Sequence, residues 1–249
     1  MKHWTLAPEY AHGAAAEAFA SLDAVFDLCG EHVAAAPMSE VVRVDIAGTR
    51  YYVKRYSGAG KNPLRRWFAR PRVQIEWENL RRFAAWSIPT APVVGYGLER
   101  RAGAFVRGAM ITEEIPDTSD LAALAIRDDT RLHDGAWVDA VSRQIARIAR
   151  TLHAHRFAHN DLKWRNLLVT TGEASTVFLI DCPAGMHWPE PFLRHRIVKD
   201  LACLDKVAKQ QLTRTQRLRF YHHYTGRTRL NAADRKRIRH VLRYFEGRE

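Results

Sequence analysis

The chain has 249 residues, 47% hydrophobic and 27% charged, with a formal net charge of +12. That length supports one large domain or two small lobes with a proper core, and the composition excludes global disorder. No apolar run is long enough to span a bilayer, Met1 to Glu9 lacks the apolar core of a signal peptide, and three widely spaced cysteines (Cys29, Cys182, Cys203) fit a reducing cytoplasm rather than a disulfide framework.

In chain order, residues 1–40 give little. The Ala-rich run from Ala11 to Ala20 reads as helix, Ala14 to Leu28 has helical spacing in places, and Gly30 and Pro37 break the stretch after it. A hairpin comes next: Glu40 to Ile46 alternates apolar and polar residues from Val42 onward, Ala47-Gly48-Thr49 turns, and Arg50 to Tyr56 alternates again, with Lys54 beside Val53 on the second strand. Lys61, Arg65, Arg66, Arg70 and Arg72, interleaved with Leu64, Trp67 and Phe68, form a basic cluster of the kind an interfacial membrane contact uses, or a solvated basic surface. Gln74 to Trp86 reads as a helix with Ile75, Leu80, Phe83 and Ala84 on its apolar face, ended by Ile88-Pro89. Glu76 lies beside that face and is preferred over Glu78 as a partner for Lys54.

Pro89 to Gly97 reads as a loop entering a strand, and Ala104 to Val106 and Ala109 to Thr112 as two strands around Arg107-Gly108. Glu113-Glu114-Ile115-Pro116-Asp117 leaves the sheet, and a short helix is expected over Leu121 to Ile126. The clearest helix is Asp134 to Phe157, with Trp137, Val141, Ile145, Ile148 and Leu152 at spacings of three and four. Arg194 to Leu204, Arg214 to Tyr224 and Ala232 to Phe245 read as further helices, the last two separated by Gly226. From Lys209 onward twelve Lys/Arg face three Asp/Glu, a tail of +9. Such a field attracts polyanions: nucleic acid, anionic membrane or a phosphorylated substrate.

The chemistry concentrates in His159-Asn160-Asp161-Leu162-Lys163-Trp164-Arg165-Asn166 and in Phe178-Leu179-Ile180-Asp181. The octapeptide fits H-x-D-L-x-x-x-N, the kinase catalytic loop, where the Asp accepts the proton of the acceptor hydroxyl and the Asn holds a metal. Alone it also reads as a helix start with Asp161 as N-cap and Asn166 as a surface amide. Asp181, which ends an apolar run fifteen residues beyond Asn166, favours the kinase reading, because a hairpin turning at Thr171 to Ser175 returns the second carboxylate to the first cluster. His153, His155 and His159 are zinc-ligand types, but a helix turns the first two apart and no Cys pair assists, so packing or surface roles are preferred. His159 is expected to be a packing and hydrogen-bonding strut, and Asp200 to brace the loop through backbone hydrogen bonds.

Tyr51 to Tyr56, Glu76 to Phe83, His159 to Asn166, Leu179-Ile180-Asp181 and Lys199 to Leu204 together resemble the lipopolysaccharide core kinase family, the Kdo and heptose kinases with a protein-kinase-like fold. The resemblance covers about residues 40 to 225. It implies an α+β, two-lobe fold: residues 1–115 as a small β-rich lobe and 116–249 as a helical lobe, with ATP and magnesium between them. It further implies that Lys54 holds the α/β-phosphates and pairs with Glu76, and that the backbone around Glu113 and Glu114 forms the hinge that pairs with adenine. Asp161 would be the base, Lys163 would meet the γ-phosphate, and Asn166 and Asp181 would hold Mg2+. The acceptor would be a sugar hydroxyl of the lipopolysaccharide core, reached from the cytoplasm at the anionic inner-membrane surface.

Three departures stand out. Ala36-Pro37-Met38-Ser39 occupies the place of a glycine-rich phosphate loop, Asn160 precedes Asp161 where many regulated protein kinases have Arg, and Cys182-Pro183 follows Asp181. The rival readings are an aminoglycoside-type kinase, whose cationic substrate suits a +12 chain poorly, a protein kinase, and a non-catalytic kinase-fold scaffold. No nucleic-acid recognition motif appears, so no specific nucleic acid is expected as partner. The sequence leaves the oligomeric state open.

Overall fold

The structure is a computed structural model that describes residues 1–58, 65–172 and 174–247. The fold is α+β, and the chain divides into two compact units, Met1–Arg82 with Ala91–Ile115 and Phe83–Thr90 with Pro116–Glu249.

The first unit is built on a six-stranded antiparallel sheet. Its strands are β1 (Lys2–Leu6), β2 (Glu31–Ala36), β3 (Ser39–Ile46), β4 (Thr49–Ser57), β5 (Val93–Arg101) and β6 (Ala104–Glu113), in the order β1-β5-β6-β4-β3-β2. The hairpin expected from the alternation is β3–β4, with Val42 opposite Val53. Two short helices follow β1, α1 (Ala14–Ala18) and α2 (Leu22–Asp27); Phe19, which ends α1, joins Leu22 and Val25 of α2 in a core with Val42, Val44, Tyr51, Val53 and Ile111. Truncating Phe19 to Ala removes the largest fully buried side chain of that core, at a cost of about 3–5 kcal/mol. The single helix expected from Ala11 to Ala20 is shorter and breaks at Phe19, which points into the core. Arg55 binds α2 to the sheet: its guanidinium donates to the Val25 carbonyl at 3.0 Å and to the Leu28 carbonyl, acceptors a helix C-terminus leaves open.

The edge strands β1 and β2 escape sequence reading for a physical reason. Every residue of β2 is exposed, so no alternation marks it. The two strands expected around Arg107-Gly108 are one continuous β6. Gly108 broke the pattern because its side must stay empty: a Cβ there would lie 2.8 Å from both the Gly97 carbonyl oxygen and Val73 Cγ1. α3 (Arg65–Phe68) precedes α4 (Arg72–Ala85), and Lys61 and Leu64 of the expected basic cluster lie outside the described residues. The buried face of α4 is Val73, Glu76, Asn79, Leu80 and Phe83; Ala84 is exposed and Ile75 half-buried, so the observed face is rotated by part of a turn from the expected one.

The second unit is helical. It comprises β7 (Thr118–Asp120), α5 (Leu121–Ile126), α6 (Gly135–Ala154), β8 (Phe157–Ala158), β9 (Leu167–Thr170), β10 (Val177–Leu179), β11 (Met186–His187), α7 (Phe192–Gln211), α8 (Arg214–Thr225) and α9 (Ala232–Arg243). Asp134 caps α6 by accepting from the Ala136 amide at 2.8 Å, and Val138, Val141, Ile145, Ile148 and Leu152 are its buried stripe. Trp137, expected in that stripe, is only half-buried. α7 begins before and runs well past its expected limits. α8 and α9 open with capping boxes, Thr213 with Gln216 and Asn231 with Asp234, and Gly226 ends α8 in the left-handed region at φ 67°. β9 and β10 form the expected hairpin; Glu173 of its turn lies outside the described residues.

Candidate active site

In the first unit, Lys54 sits on β4 between Val41 of β3 and Met110 of β6, in the interior of the sheet. On β4, Tyr51, Val53 and Arg55 alternate with Tyr52, Lys54 and Tyr56, so Lys54 emerges on the face opposite the Phe19 core. There its Nζ donates to Glu76 Oε1 at 2.9 Å, and the Tyr56 hydroxyl donates to Glu76 Oε2. Glu76 is only 2% exposed. A buried carboxylate is tolerated only when its oxygens are paired, and here each one is. Glu78, the other option, is instead engaged by Arg70 and by Arg82 at 3.0 Å, guanidinium contacts that hold its carboxyl below the usual range although burial opposes them. Tyr56 carries no sequence signal of this role beyond its i+2 position from Lys54.

Glu113 and Glu114 end the sheet. Their side chains accept from the Tyr10 and Tyr52 hydroxyls at 2.6 and 3.0 Å, and Arg50 pairs with Glu114 at 2.8 Å. Burial and the Glu113 hydrogen bond push the Tyr10 hydroxyl's pKa up. The amides of Glu113 and Glu114 donate to the carbonyls of Pro92 and Arg50. Both amides are thus engaged within the first unit, and the side chains serve the sheet.

In the second unit, β8 leads from α6 into the loop. The buried Asp200 of α7 accepts the His159 amide at Oδ2 and the Asn160 amide at Oδ1, both at 2.8 Å, the bracing expected of it. His153 lies 3.4 Å from Oδ2 and 2.9 Å from the Tyr224 hydroxyl, so it is a buried packing residue. His155 stacks on Trp86 at 4.3 Å. His159 is fully buried against Phe83, but among the described residues neither ring nitrogen has a hydrogen-bond partner, so the expected hydrogen-bonding strut is a packing residue. Burial lowers its pKa, against the pull of Asp200, Asp181 and Asp161.

Asn160 and Asp181 both adopt left-handed backbone, at φ 65° and 60°, a conformation Asn and Asp tolerate better than most residues. The Asn160 side-chain amide donates to the Ala184 carbonyl at 2.9 Å, tying the loop to the segment after Asp181. That approach explains Asn in place of Arg: the side chain must be short and must donate. Leu162 and Trp164 anchor the loop in the core, with Trp164 Nε1 donating to the Leu204 carbonyl at 3.0 Å. Asp161 caps no helix. One carboxylate oxygen meets Lys163 Nζ at 2.6 Å and the other Arg165 at 3.1 Å. Arg165, at i+4 from Asp161, is a neighbour the sequence reading passed over. The Asn166 side-chain amine donates to the Asp161 carbonyl at 2.9 Å, and the Asn166 carbonyl accepts from the Ile180 amide at 2.9 Å, which places the residue before Asp181 alongside Asn166.

The donor set suits magnesium. With its amine committed to Asp161, Asn166 has its side-chain oxygen left as acceptor, and Asp181 adds a carboxylate; hard oxygens of this kind, few in number, are what magnesium uses beside phosphates and water. Among the described residues no group of three or more His, Cys, Asp or Glu is placed to hold a metal on its own.

The model of the lipopolysaccharide kinase (Kdo/WaaP) family matches residues 23–224. No curated protein matches the chain. Among solved structures, "WaaP in complex with acyl carrier protein" is similar at 22% identity and a TM-score of 0.73, covering 99% of this chain and 97% of that one, a likeness of fold.

Proposed function

Because the chain belongs to the lipopolysaccharide kinase (Kdo/WaaP) family, we propose that it is an ATP-dependent kinase that phosphorylates a sugar hydroxyl, of heptose or Kdo, in the lipopolysaccharide inner core. The observation that carries this reading is the loop of the helical unit, where Asp200 fixes two successive amides so that Asp161 leaves the scaffold with both oxygens turned to cations. Asp161 takes the proton of the acceptor hydroxyl as that oxygen attacks the γ-phosphorus and the bond to ADP breaks. One carboxylate oxygen must first leave its cation, and both partners are mobile enough, Lys163 and Arg165 being 42% and 61% exposed. Lys163 then turns to the γ-phosphoryl oxygens, where charge grows. Asn166 and Asp181 would hold Mg2+, which when bound would neutralise phosphate charge. Lys54, aimed by Glu76 and Tyr56, holds the α/β-phosphates.

The acceptor class rests on family and charge. A chain at +12 is drawn to an anionic membrane and to a phosphate-bearing acceptor. Phe68 is 87% exposed and Trp67 about half, beside Arg66, Arg70 and Arg72, which supports a peripheral contact with the inner membrane from the cytoplasm. Among the described residues no helix is long and apolar enough to cross a membrane. The complex named for the similar structure adds acyl carrier protein as a partner to test.

The deciding experiment offers labelled ATP and magnesium with under-phosphorylated lipopolysaccharide core, an aminoglycoside and a generic protein in parallel. Transfer to the core, lost in Asp161→Asn, is the expected outcome. No transfer to any acceptor, together with no ATP binding, would favour the scaffold reading.

A further inference from the structure

α6 and α8 of the helical unit carry a basic concavity that the phosphoryl-transfer residues do not use. A cavity of about 400 Å³ is lined by Arg143, Arg147, Arg150, His222, His223 and Arg227. Arg143, Arg147 and Arg150 recur at i, i+4 and i+7, so one stripe of α6 presents three guanidiniums in a row. The opposite wall is the C-terminal turn of α8 and the residue after its Gly226 cap. Gly226 is needed there twice, for its positive φ and because a Cβ would stand 3.2 Å from Arg150 Nη1.

Charge on this face is far from balanced. Asp139 is shared by Arg143 at 2.5 Å, His223 at 3.1 Å and Arg219 at 3.7 Å. Asp234 pairs with Arg227 at 2.9 Å while also accepting the Asn231 amide of its own capping box. Two carboxylates thus serve five arginines, and among the described residues Arg147 and Arg150 make no ion pair and no hydrogen bond. A solvated basic surface normally spreads its charges; here two unpaired guanidiniums, one turn apart, converge on a concavity whose rim is already basic. Planar guanidinium forks match the oxygens of phosphate, and two of them match a dianion better than a monoanion.

We propose that this concavity is a binding site for phosphate-monoester groups displayed on a lipid surface, separate from the phosphoryl-transfer loop. Arg147 and Arg150 contact the phosphate, and Arg143 and Arg227 raise the local potential. A lipid-borne source is favoured because the arginines are exposed along a helix face rather than enclosed, which suits a headgroup presented by a surface over a small molecule that must be surrounded to bind.

The test is vesicle co-sedimentation of the full chain without nucleotide, so its result is independent of whether the chain is a kinase. Phosphatidylcholine vesicles carrying about one-fifth phosphatidic acid are compared with vesicles carrying phosphatidylglycerol, a phosphodiester. Arg147→Ser with Arg150→Ser is expected to lower partitioning onto phosphatidic acid about tenfold or more, and onto phosphatidylglycerol less. Arg235→Ser with Arg239→Ser on α9 removes the same charge elsewhere and is expected to change it by less than about twofold. Equal losses in the two double variants would reduce the effect to net charge and overturn the site. Unchanged vesicle binding in Arg147→Ser/Arg150→Ser overturns it too, as does a loss seen only with acyl carrier protein in solution. Inorganic phosphate and glycerol 3-phosphate are run as competitors. Release from the vesicles by millimolar inorganic phosphate would assign the site to a soluble anion and overturn the lipid source.

Discussion

Glu76 and Asp200 are both buried carboxylates, one in each unit, and they are used in opposite ways. Glu76 takes a side-chain ammonium and a phenol hydroxyl, so it aims a long, flexible lysine. Asp200 takes two consecutive backbone amides and so fixes the path of the chain itself. The difference teaches where rigidity is needed. In the proposed roles, a phosphate-gripping lysine has to be aimed yet free to move onto its ligand, whereas a base has to be held at a set position, which only the backbone can define.

The largest effect lies at the end of the arm that Asp200 holds. Asp161→Asn is expected to lower phosphoryl transfer by roughly a thousandfold, the range for loss of a general base, while ATP affinity stays within about threefold. Single-turnover rates with calorimetry separate the two; unchanged turnover would remove Asp161 from the mechanism.

Asp200→Ala and Glu76→Gln sharpen the contrast directly. Losing Asp200 orphans two buried amides at about 1–3 kcal/mol each, so Tm should fall by about 10 °C with turnover falling beside it. Glu76→Gln keeps an acceptor for Lys54, so Tm should move by only a few degrees while the Kd for ATP rises about tenfold. If Glu76→Gln unfolded the chain and Asp200→Ala were tolerated, the assignment of backbone rigidity to one carboxylate and side-chain aiming to the other would be reversed.

Legibility followed the same divide. The hairpin β3–β4, the α6 stripe, the Gly226 cap and the Asp161, Asn166 and Asp181 spacing could be read because period, turn chemistry and motif are local in sequence. Asp200 was legible as a carboxylate on the helix expected over Arg194 to Leu204. Tyr56 and Arg165 were passed over, since a tyrosine in a strand and an arginine in a basic chain are ordinary until the fold sets them against a carboxylate. β2 was missed because every one of its residues is exposed and marks no apolar alternation, β1 because its alternation is limited to Trp4 and Leu6, and β6 was split because Gly108 has no side chain to contribute to it.

The smallest expected effect concerns His159, whose ring the loop buries without giving either nitrogen a partner. Its pKa is depressed in the folded chain, first by burial, below the ordinary value of 6.5. As pH falls through 6.5 the unfolded chain takes a proton there and the folded chain does not, so stability that is complete above 6.5 drains away toward the depressed value. His159→Phe keeps a ring against Phe83 and removes the titration. Relative to the unsubstituted chain its Tm should hold within a few degrees at pH 8, and by pH 5 it should have gained roughly 2–4 °C. Parallel melting curves across that interval would mean that the buried imidazole already carries its proton or finds a partner. The loop would then be held at this point by polar contact, as it is at Asp200, rather than by packing.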